Sequence, residues 1–350
     1  MGTVAIVGAG MAGLAAARRL TAVGQKVVLF EKSAGVGGRI ATRRVQGCLL
    51  DHGAQVIKPD GSPLADVMFQ ELSTTDLIEV LPPVRIVGPE GEILPEDPHH
   101  TPQRAFTYRD GMTTLPKLLV AALPEELFEL RLKTRIGRME ESKDGFLLRD
   151  EQGRELLRAD HVVLTPPAPQ TADLLAASHL RDPTLNQIRI DTLRSVPYQP
   201  CLTVLLGYAA PTPPAPAYAL LASDRAQPLL WLAFEQTKVP SRVPQGEAAL
   251  IAQLGPTISQ QLYEVSDAEV LELTLHELRL RFGDTYARPH WQQVKRWRYS
   301  QPRGMTGFDT VNPISSDSRI VVCGDALRPE NGRVYQAYSS GLEAAEFLLA

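Results

Sequence analysis

Residues 4–20 read VAIVGAGMAGLAAARRL: an apolar run, three glycines, then an alanine-rich stretch that closes with Arg18-Arg19-Leu20. The pattern predicts a strand, a tight turn and a helix, and Lys26–Phe30 predicts a second apolar strand ending at Glu31. Residues 1–60 therefore read as the first βαβ unit of a parallel sheet. ADHVVLTPP (159–167) reads as a buried strand halted at Pro166–Pro167, and RIVVCGD (319–325) as a further strand ending in Gly-Asp. Between these lie segments of another character. VRIVGPEGEIL predicts a hairpin around Gly88–Gly91. Residues 111–123 predict a helix opened by Thr113 or Thr114, with Pro116 in its first turn. FELRLKTRIGRM, DGFLLRD and RELLRAD predict three antiparallel strands. CLTVLLGYA and PLLWLAFEQ alternate apolar and polar positions as half-buried strands do. Ser266–Phe282 is an amphipathic helical pattern with a capping box of Ser266 and Glu269. WQQVKRWRY (291–299) predicts a strand, and a second capping box, Ser340 with Glu343, predicts the start of the terminal helix.

The strand signals at the two ends of the chain predict one α/β lobe assembled from residues 1–60, 105–180 and 295–350. A β-rich lobe, 61–104 and 181–294, is inserted between them. No internal repeat interrupts this division.

Composition narrows the classes of function. The chain has 350 residues, 44% hydrophobic and 22% charged, with a net charge of −4, so nothing marks a nucleic-acid surface or an anionic membrane as partner. The chain opens on a strand pattern with no basic and apolar leader segment before it, so no secretory leader is expected. No apolar run reaches the ~18 residues of a membrane span; the richest, Cys201–Leu221, is interrupted by Pro211, Pro213, Pro214 and Pro216. Cys48, Cys201 and Cys323 are far apart and form no C-x-x-C, which argues against a metal ribbon or a redox dithiol. Buried thiols and a cytoplasmic setting are expected.

The candidate chemistry begins at the glycines. Gly8 permits the tight turn, Gly10 lets a pyrophosphate approach the backbone, and Gly13 lets the helix pack closely on the strand. Ala9, Met11 and Ala12 complete that turn, and the helix N-terminus supplies N–H groups and positive potential. Glu31, about twenty residues on, is the expected acceptor for a ribose hydroxyl, with Lys32 beside it. The ligand is therefore a dinucleotide.

Glu31 is followed by KSAGVGGRIATRR, and Asp51 by HGAQ. Glu-Lys, a short gap, then Gly37-Gly38-Arg39 resembles the segment with which FAD-dependent amine oxidases hold their flavin. The fuller run GVGGRIATRR…LDHGAQ, together with KRWRY and Gly324-Asp325, resembles the bacterial renalase-type flavoproteins of that superfamily. The resemblance covers residues 1–60 and 295–350 and returns near 111–116. It implies a glutathione-reductase-type FAD lobe roofed by an antiparallel sheet, in the manner of p-hydroxybenzoate hydroxylase, with FAD bound non-covalently. Gly37, Gly38, Arg39 and Arg43 would approach the cofactor, and Gly53, Ala54 and Gln55 would lie against the isoalloxazine. Arg135 and Ile136, next to Thr134, would meet the adenine. Thr165 and Pro166 would pass beneath the pyrophosphate, and Gly324-Asp325 would reach the ribityl chain. Ser340, Gly341 and Leu342 would aim a helix N-terminus at the pyrimidine edge. Gln55, His52, Trp297 and Tyr299 are the candidate catalytic residues.

The activity implied is hydride abstraction by FAD from a small reduced substrate, an isomeric 2- or 6-dihydro-NAD(P), with oxygen reoxidising the flavin. No nucleophile, metal cluster or carboxylate pair is recognisable, which suits a substrate that already releases hydride readily. Two departures fall near the expected substrate side: Val56 stands where the resembling chains carry an aromatic residue. Ala326, followed by LRPENG, stands where they carry tryptophan. An amine oxidase or a carotenoid- or porphyrinogen-type dehydrogenase on the same scaffold stays open. So does a non-catalytic partner-binding scaffold of the kind found in GDP-dissociation inhibitors.

Overall fold

The computed structural model describes residues 2–59, 61–95, 103–210, 212–314, 318–328 and 332–350. Pro211 and residues 329–331, part of the LRPENG stretch, lie outside the described residues.

Five parallel strands form the first layer, in the order Ile320–Val322, His161–Leu164, Thr3–Val7, Lys26–Phe30, Phe128–Arg131. Their side chains are apolar in unbroken runs because both faces are covered. On one face the helix Met11–Ala22 packs against the sheet and against the terminal helix Val334–Leu349. A Cβ on Gly13 would lie 2.0 Å from the Gly8 carbonyl oxygen, so the helix can seat on the turn only with glycine there. Gly8, Glu31, Thr165 and Gly324 each follow closely on the end of a strand. Four of the expected binding positions thus share the carboxyl edge of the sheet, where open α/β sheets hold ligands.

The predicted strand FELRLKTRIGRM is two strands in two sheets. Phe128–Arg131 completes the parallel sheet, whereas Ile136–Ser142 opens an antiparallel sheet with Gly145–Asp150 and Glu155–Ala159. The break is a left-handed turn, with Lys133 at φ 52°. Lys133 N–H donates to the Ser33 carbonyl and Thr134 N–H to that of Glu31, at 2.9 Å each.

The inserted lobe is a six-stranded sheet in the order Trp291–Pro302, Tyr198–Tyr208, Ala248–Leu254, Leu229–Phe234, Ala219–Ala222, Val84–Val87. Tyr198–Tyr208 is buried almost throughout rather than half-buried. Leu202, Val204 and Leu206 share a core with Val270 and Leu278 of the helix Asp267–Phe282. Leu205 of the same strand belongs to a core with Cys48 and Leu50, from the hairpin Thr42–Asp51. Trp291–Pro302 pairs with Tyr198–Tyr208, so the lobe boundary expected at 295 falls inside a strand and the chain leaves this sheet after Pro302. Leu77–Glu79 pairs with Phe106–Tyr108 across the boundary expected at 104.

Residues 84–94 turn back at Gly88, whose N–H reaches the Glu92 carbonyl at 2.9 Å. The Ser266–Glu269 capping box is present. The helix Thr114–Ala121 has no side-chain cap; Thr113 N–H is instead taken by the Thr42 hydroxyl at 3.2 Å. The terminal helix begins at Val334, so Ser340, Gly341 and Leu342 lie inside it and form no N-terminus. Among the described residues no helix is long and apolar enough to cross a membrane. All three cysteines are buried and free. Burial above all pushes the Cys48 and Cys201 thiols up to about 11.

Candidate active site

A cleft of about 1940 Å³ runs along the carboxyl edge of the parallel sheet and continues under the six-stranded sheet. Ordinary small-molecule pockets measure about 300–1,000 Å³, so this one has room for a dinucleotide and a second molecule. At its outer end Gly8 sits at φ 103°, and a Cβ there would lie 2.4 Å from Thr165 Oγ1. The Thr165 hydroxyl holds the turn by donating toward the Val7 and Gly8 carbonyls at 2.9 and 3.1 Å. A Cβ on Gly10 would meet nothing within 4 Å, which leaves this wall open to a ligand. Glu31 accepts from the N–H of Ala9 at 3.0 Å and of Ser33 at 2.8 Å. Lys32 donates to Gln170 at 3.2 Å. Met11, Ala12, Arg135, Ile136 and Pro166 also line this end.

Further in, Gly37, Gly38 and Arg39 line the cleft opposite Gly324 and Asp325. The Arg39 guanidinium makes a two-pronged pair with Asp325 at 2.8 and 2.7 Å and also reaches the Ser300 carbonyl at 3.2 Å. The two groups expected to contact the cofactor independently therefore hold each other. The Gly324 N–H is taken by Ser340 Oγ at 2.9 Å, which gives Ser340 a bracing role from within its helix.

The segment His52–Gln55 is pinned by four donors, three from the six-stranded sheet and one from the short helix Glu235–Lys238 that follows its strand Leu229–Phe234. Trp297 Nε1 donates to the His52 carbonyl at 2.9 Å and Gln253 Nε2 to that of Gly53 at 3.5 Å. Trp231 Nε1 donates to Gln55 Oε1 at 3.0 Å and Lys238 Nζ to the Gln55 carbonyl at 3.4 Å. The His52 ring stacks on Trp297 at 5.2 Å. Burial above all, with Lys295 and Arg43 adding to it against Asp51, pushes His52 down to about 4, so the imidazole is neutral at physiological pH. His52 Nδ1 and Gln55 Nε2 are buried without partners. Tyr299 lines the cleft and packs edge-on against Tyr198.

Behind this segment lies a fully buried cluster of four charges. Asp51 Oδ2 lies 3.1 Å from Lys238 and 2.5 Å from Arg242, and Glu235 lies 2.5 and 2.8 Å from the same two cations. Arg242 also reaches Thr107 Oγ1 at 2.7 Å and the Tyr108 carbonyl. Burial alone would raise the Asp51 carboxyl, but Lys238 and Arg242 hold it below the usual carboxylate range. Burial pushes Glu235 up.

Several expected site residues stand elsewhere. Ala9 and Gly13 are packed behind the glycine turn, and Arg43 is exposed on its hairpin away from the cleft. Ser340, Gly341 and Leu342 do not line it; the residues of that helix that do are Val334, Tyr335 and Ala337, preceded by Arg333. Val56 lines the cleft, whereas Ala326 is buried away from it. Sequence reasoning missed Tyr218, Trp231, Gln253 and Lys238. Of these only Trp231 lies in a segment that carried a signal, the alternation of PLLWLAFEQ, and alternation does not say which face meets the cleft.

The glycine cradle, the open wall at Gly10 and the strand-end carboxylate Glu31 together fit FAD. The profile of flavin containing amine oxidoreductases matches residues 87–349, and that of a Rossmann-like NAD(P)-binding domain matches residues 6–72. Over 61 residues the chain is 48% identical to putrescine oxidase of Kocuria rosea, covering 17% of this chain and 13% of that protein. The first curated relatives are likewise matched over only 12% of their length. The fold is shared with cyclohexylamine oxidase of Brevibacterium oxydans IH-35A (TM-score 0.75, 16% identity, 99% and 98% of the two chains). It is also shared with reduced UDP-galactopyranose mutase (TM-score 0.79, 14% identity, 100% and 94%). The chain belongs to the flavin-containing amine oxidoreductase family.

Proposed function

We propose that the protein oxidises a small reduced substrate, a 2- or 6-dihydro isomer of NAD(P), with non-covalently bound FAD and oxygen as final acceptor. The observation that carries this reading is the chemistry of the inner cleft. Its described carboxylates are Glu31, Asp150, Glu151, Asp173 and Asp325. The first four belong to elements flanking Lys32 and Thr134–Arg138, and Asp325 is taken by Arg39. An ammonium group at the inner end would meet no free carboxylate among the described residues, since Asp325 is already paired with Arg39. A planar ring would find aromatic walls in Trp231, Trp297 and Tyr299.

In this reading the glycine turn and the helix N-terminus at Met11 hold the pyrophosphate, and Glu31 takes the ribose hydroxyls. Trp297 and Trp231 bound the space for the substrate ring, and the pinned His52–Gln55 segment keeps that space at fixed width. Bound FAD would supply the two-electron acceptor for a hydride from the substrate carbon, which would leave NAD(P)⁺, and oxygen with two protons would take the two electrons on as hydrogen peroxide. The residues orient the donor carbon and exclude side reactions; no proton need be removed from the substrate. The lobe division that goes with this reading is a glutathione-reductase-type FAD lobe beneath a p-hydroxybenzoate-hydroxylase-like roof, the chain returning to the FAD lobe after Pro302.

Anaerobic mixing tests it. The 2- or 6-dihydro isomers should bleach the flavin rapidly. Ordinary 4-dihydro NADH, with its donor carbon displaced by about 1 Å or more, should be on the order of a hundredfold slower. The likenesses to putrescine and cyclohexylamine oxidases favour the second reading, an amine oxidase. Rapid bleaching by primary amines with no response to any dihydronicotinamide would establish that one instead.

A further inference from the structure

Ten lysine and arginine side chains line the cleft against five carboxylates, although the chain as a whole carries a net charge of −4. Five of the ten have a carboxylate partner. Lys58, Arg303 and Arg333 have none among the described residues, and all three are exposed, so a molecule in the cleft can reach them. Desolvation first, and then the Arg333 charge, hold Lys58 below the ordinary lysine value, so these two cations are close enough to repel. Both are fixed at the backbone. Ile57, the residue before Lys58, exchanges two hydrogen bonds with Phe106 at 2.8 Å each. The Arg333 carbonyl accepts from the Ala337 N–H at 3.2 Å as the terminal helix begins. A Cβ on Gly332 would lie 3.2 Å from Gln301 Cγ, so the segment carrying Arg333 rests on the end of the strand Trp291–Pro302, which Arg303 follows. Among the described residues the Arg303 guanidinium reaches only the neutral Gln199 Oε1, at 3.4 Å. Like charges held together on a fixed backbone are relieved by an anion between them, and the open cleft leaves that place to a ligand.

We propose that Lys58 and Arg333, with Arg303 beside them, form an anion subsite on the cleft wall, and that it takes the 5′-phosphate of a nicotinamide nucleotide. The inference deepens the functional reading above and rests on it for the position of the substrate ring. Lys58 stands three residues beyond Gln55, at most about 10 Å along an extended chain. That leaves room for one sugar between a ring at the inner end and a phosphate at Lys58. A phosphate brings negative charge and several acceptor oxygens to the three cations, and charge-assisted bonds of this kind are the strong ones. A primary ammonium group would be repelled there.

The test is a binding equilibrium, measured by titration calorimetry on the purified FAD-loaded protein. The probes are nicotinamide mononucleotide and nicotinamide riboside, which share ring and sugar and differ by the phosphate alone. Wild type should bind the mononucleotide about tenfold or more tighter at low salt. Raising the ionic strength from about 0.05 to 0.5 M should narrow that preference, because the cations are exposed. Lys58→Gln combined with Arg333→Gln should bring the preference below about twofold, while Lys58→Arg keeps most of it. The salt series needs no variant, so a preference indifferent to salt overturns the proposal even if the double variant does not fold. Equal binding of the two probes by wild type, or no binding of either at millimolar concentration, would overturn it as well. So would an undiminished preference in the double variant; release of FAD by that variant would then assign the pair to the flavin. Inorganic phosphate binding as tightly as the mononucleotide would leave a free-anion site and overturn the assignment to a nucleotide. None of these measurements involves turnover. Failure of dihydronicotinamides to bleach the flavin, with the phosphate preference intact, would overturn the functional reading and leave this subsite standing. Rapid bleaching with no phosphate preference would do the reverse.

Discussion

The Glu31 carboxylate serves two backbone N–H groups, of Ala9 and Ser33, before any ligand reaches it. Each oxygen keeps lone pairs for a ribose, and the charge strengthens every bond it accepts. Glu31→Gln should weaken FAD binding about 10- to 150-fold, the equivalent of about 1.5–3 kcal/mol for a bond to a charged group. Titration of the apoprotein with FAD checks this, and an unchanged affinity in a folded variant would make Glu31 a brace for the turn only. His52 makes a pH prediction. Its pKa falls from an ordinary 6.5 to about 4 in the fold, chiefly through burial, with Lys295 and Arg43 adding to the effect and Asp51 opposing it. Between those values the unfolded chain binds the proton and the native one does not. Stability therefore falls as pH drops from about 6.5 toward 4 and this contribution levels off below 4, a total of about 3 kcal/mol. Urea unfolding of wild type and His52→Gln across that range should show a shallower loss in the variant.

At the scale of elements, the contact between the first and last helices sets the site. A Cβ on Gly341 would lie 2.0 Å from the Ala12 carbonyl oxygen, so the terminal helix approaches the backbone of Met11–Ala22 as closely as glycine allows. That, rather than contact with the cofactor, is what its position in the fold requires. Gly341→Ala must push the helices apart, at about 1–3 kcal/mol for overpacking, and the displaced element carries the glycine turn at its N-terminus. Lower denaturant stability and weaker FAD retention should appear together in this variant. Stability loss with FAD affinity intact would show that the turn is held independently, through Thr165.

For the molecule as a whole, the two lobes meet at a buried cluster whose charges balance: Lys238 and Arg242 against Asp51 and Glu235. Lys238, Glu235 and Arg242 follow the strand Leu229–Phe234 of the six-stranded sheet, while Asp51 ends the strand Cys48–Asp51 and the partners Thr107 and Tyr108 lie on Phe106–Tyr108. Removing one charge leaves another buried and uncompensated, which costs about 3–5 kcal/mol, whereas removing an opposite pair together costs far less. Lys238→Met should therefore be strongly destabilised, and Lys238→Met combined with Glu235→Leu should recover much of the loss in equilibrium unfolding. A double variant no better than the single one would show that Lys238 acts through the Gln55 carbonyl rather than through charge balance.

The features legible along the chain are local or strictly periodic. The strand, glycine turn and helix at 3–22, the strand ending at Glu31, the proline-stopped strand at 161–164 and the Ser266 cap are all set within a few residues. Their signals are those of chain sterics and of apolar burial. Tertiary structure decided what depends on distant partners. Arg39 and Asp325 lie 286 positions apart, Trp231 and Gln55 176, Lys238 and Asp51 187, and an alternating strand pattern does not say which neighbour its polar face will meet. The Ser340–Glu343 pair reads locally as a helix start, yet its groups are taken by Gly324 and Arg328 from another segment, and the helix begins at Val334. Local chemistry made both arrangements available. The partner that folding brought alongside decided between them, because each group satisfies its hydrogen bonds with whatever the packed molecule places within reach.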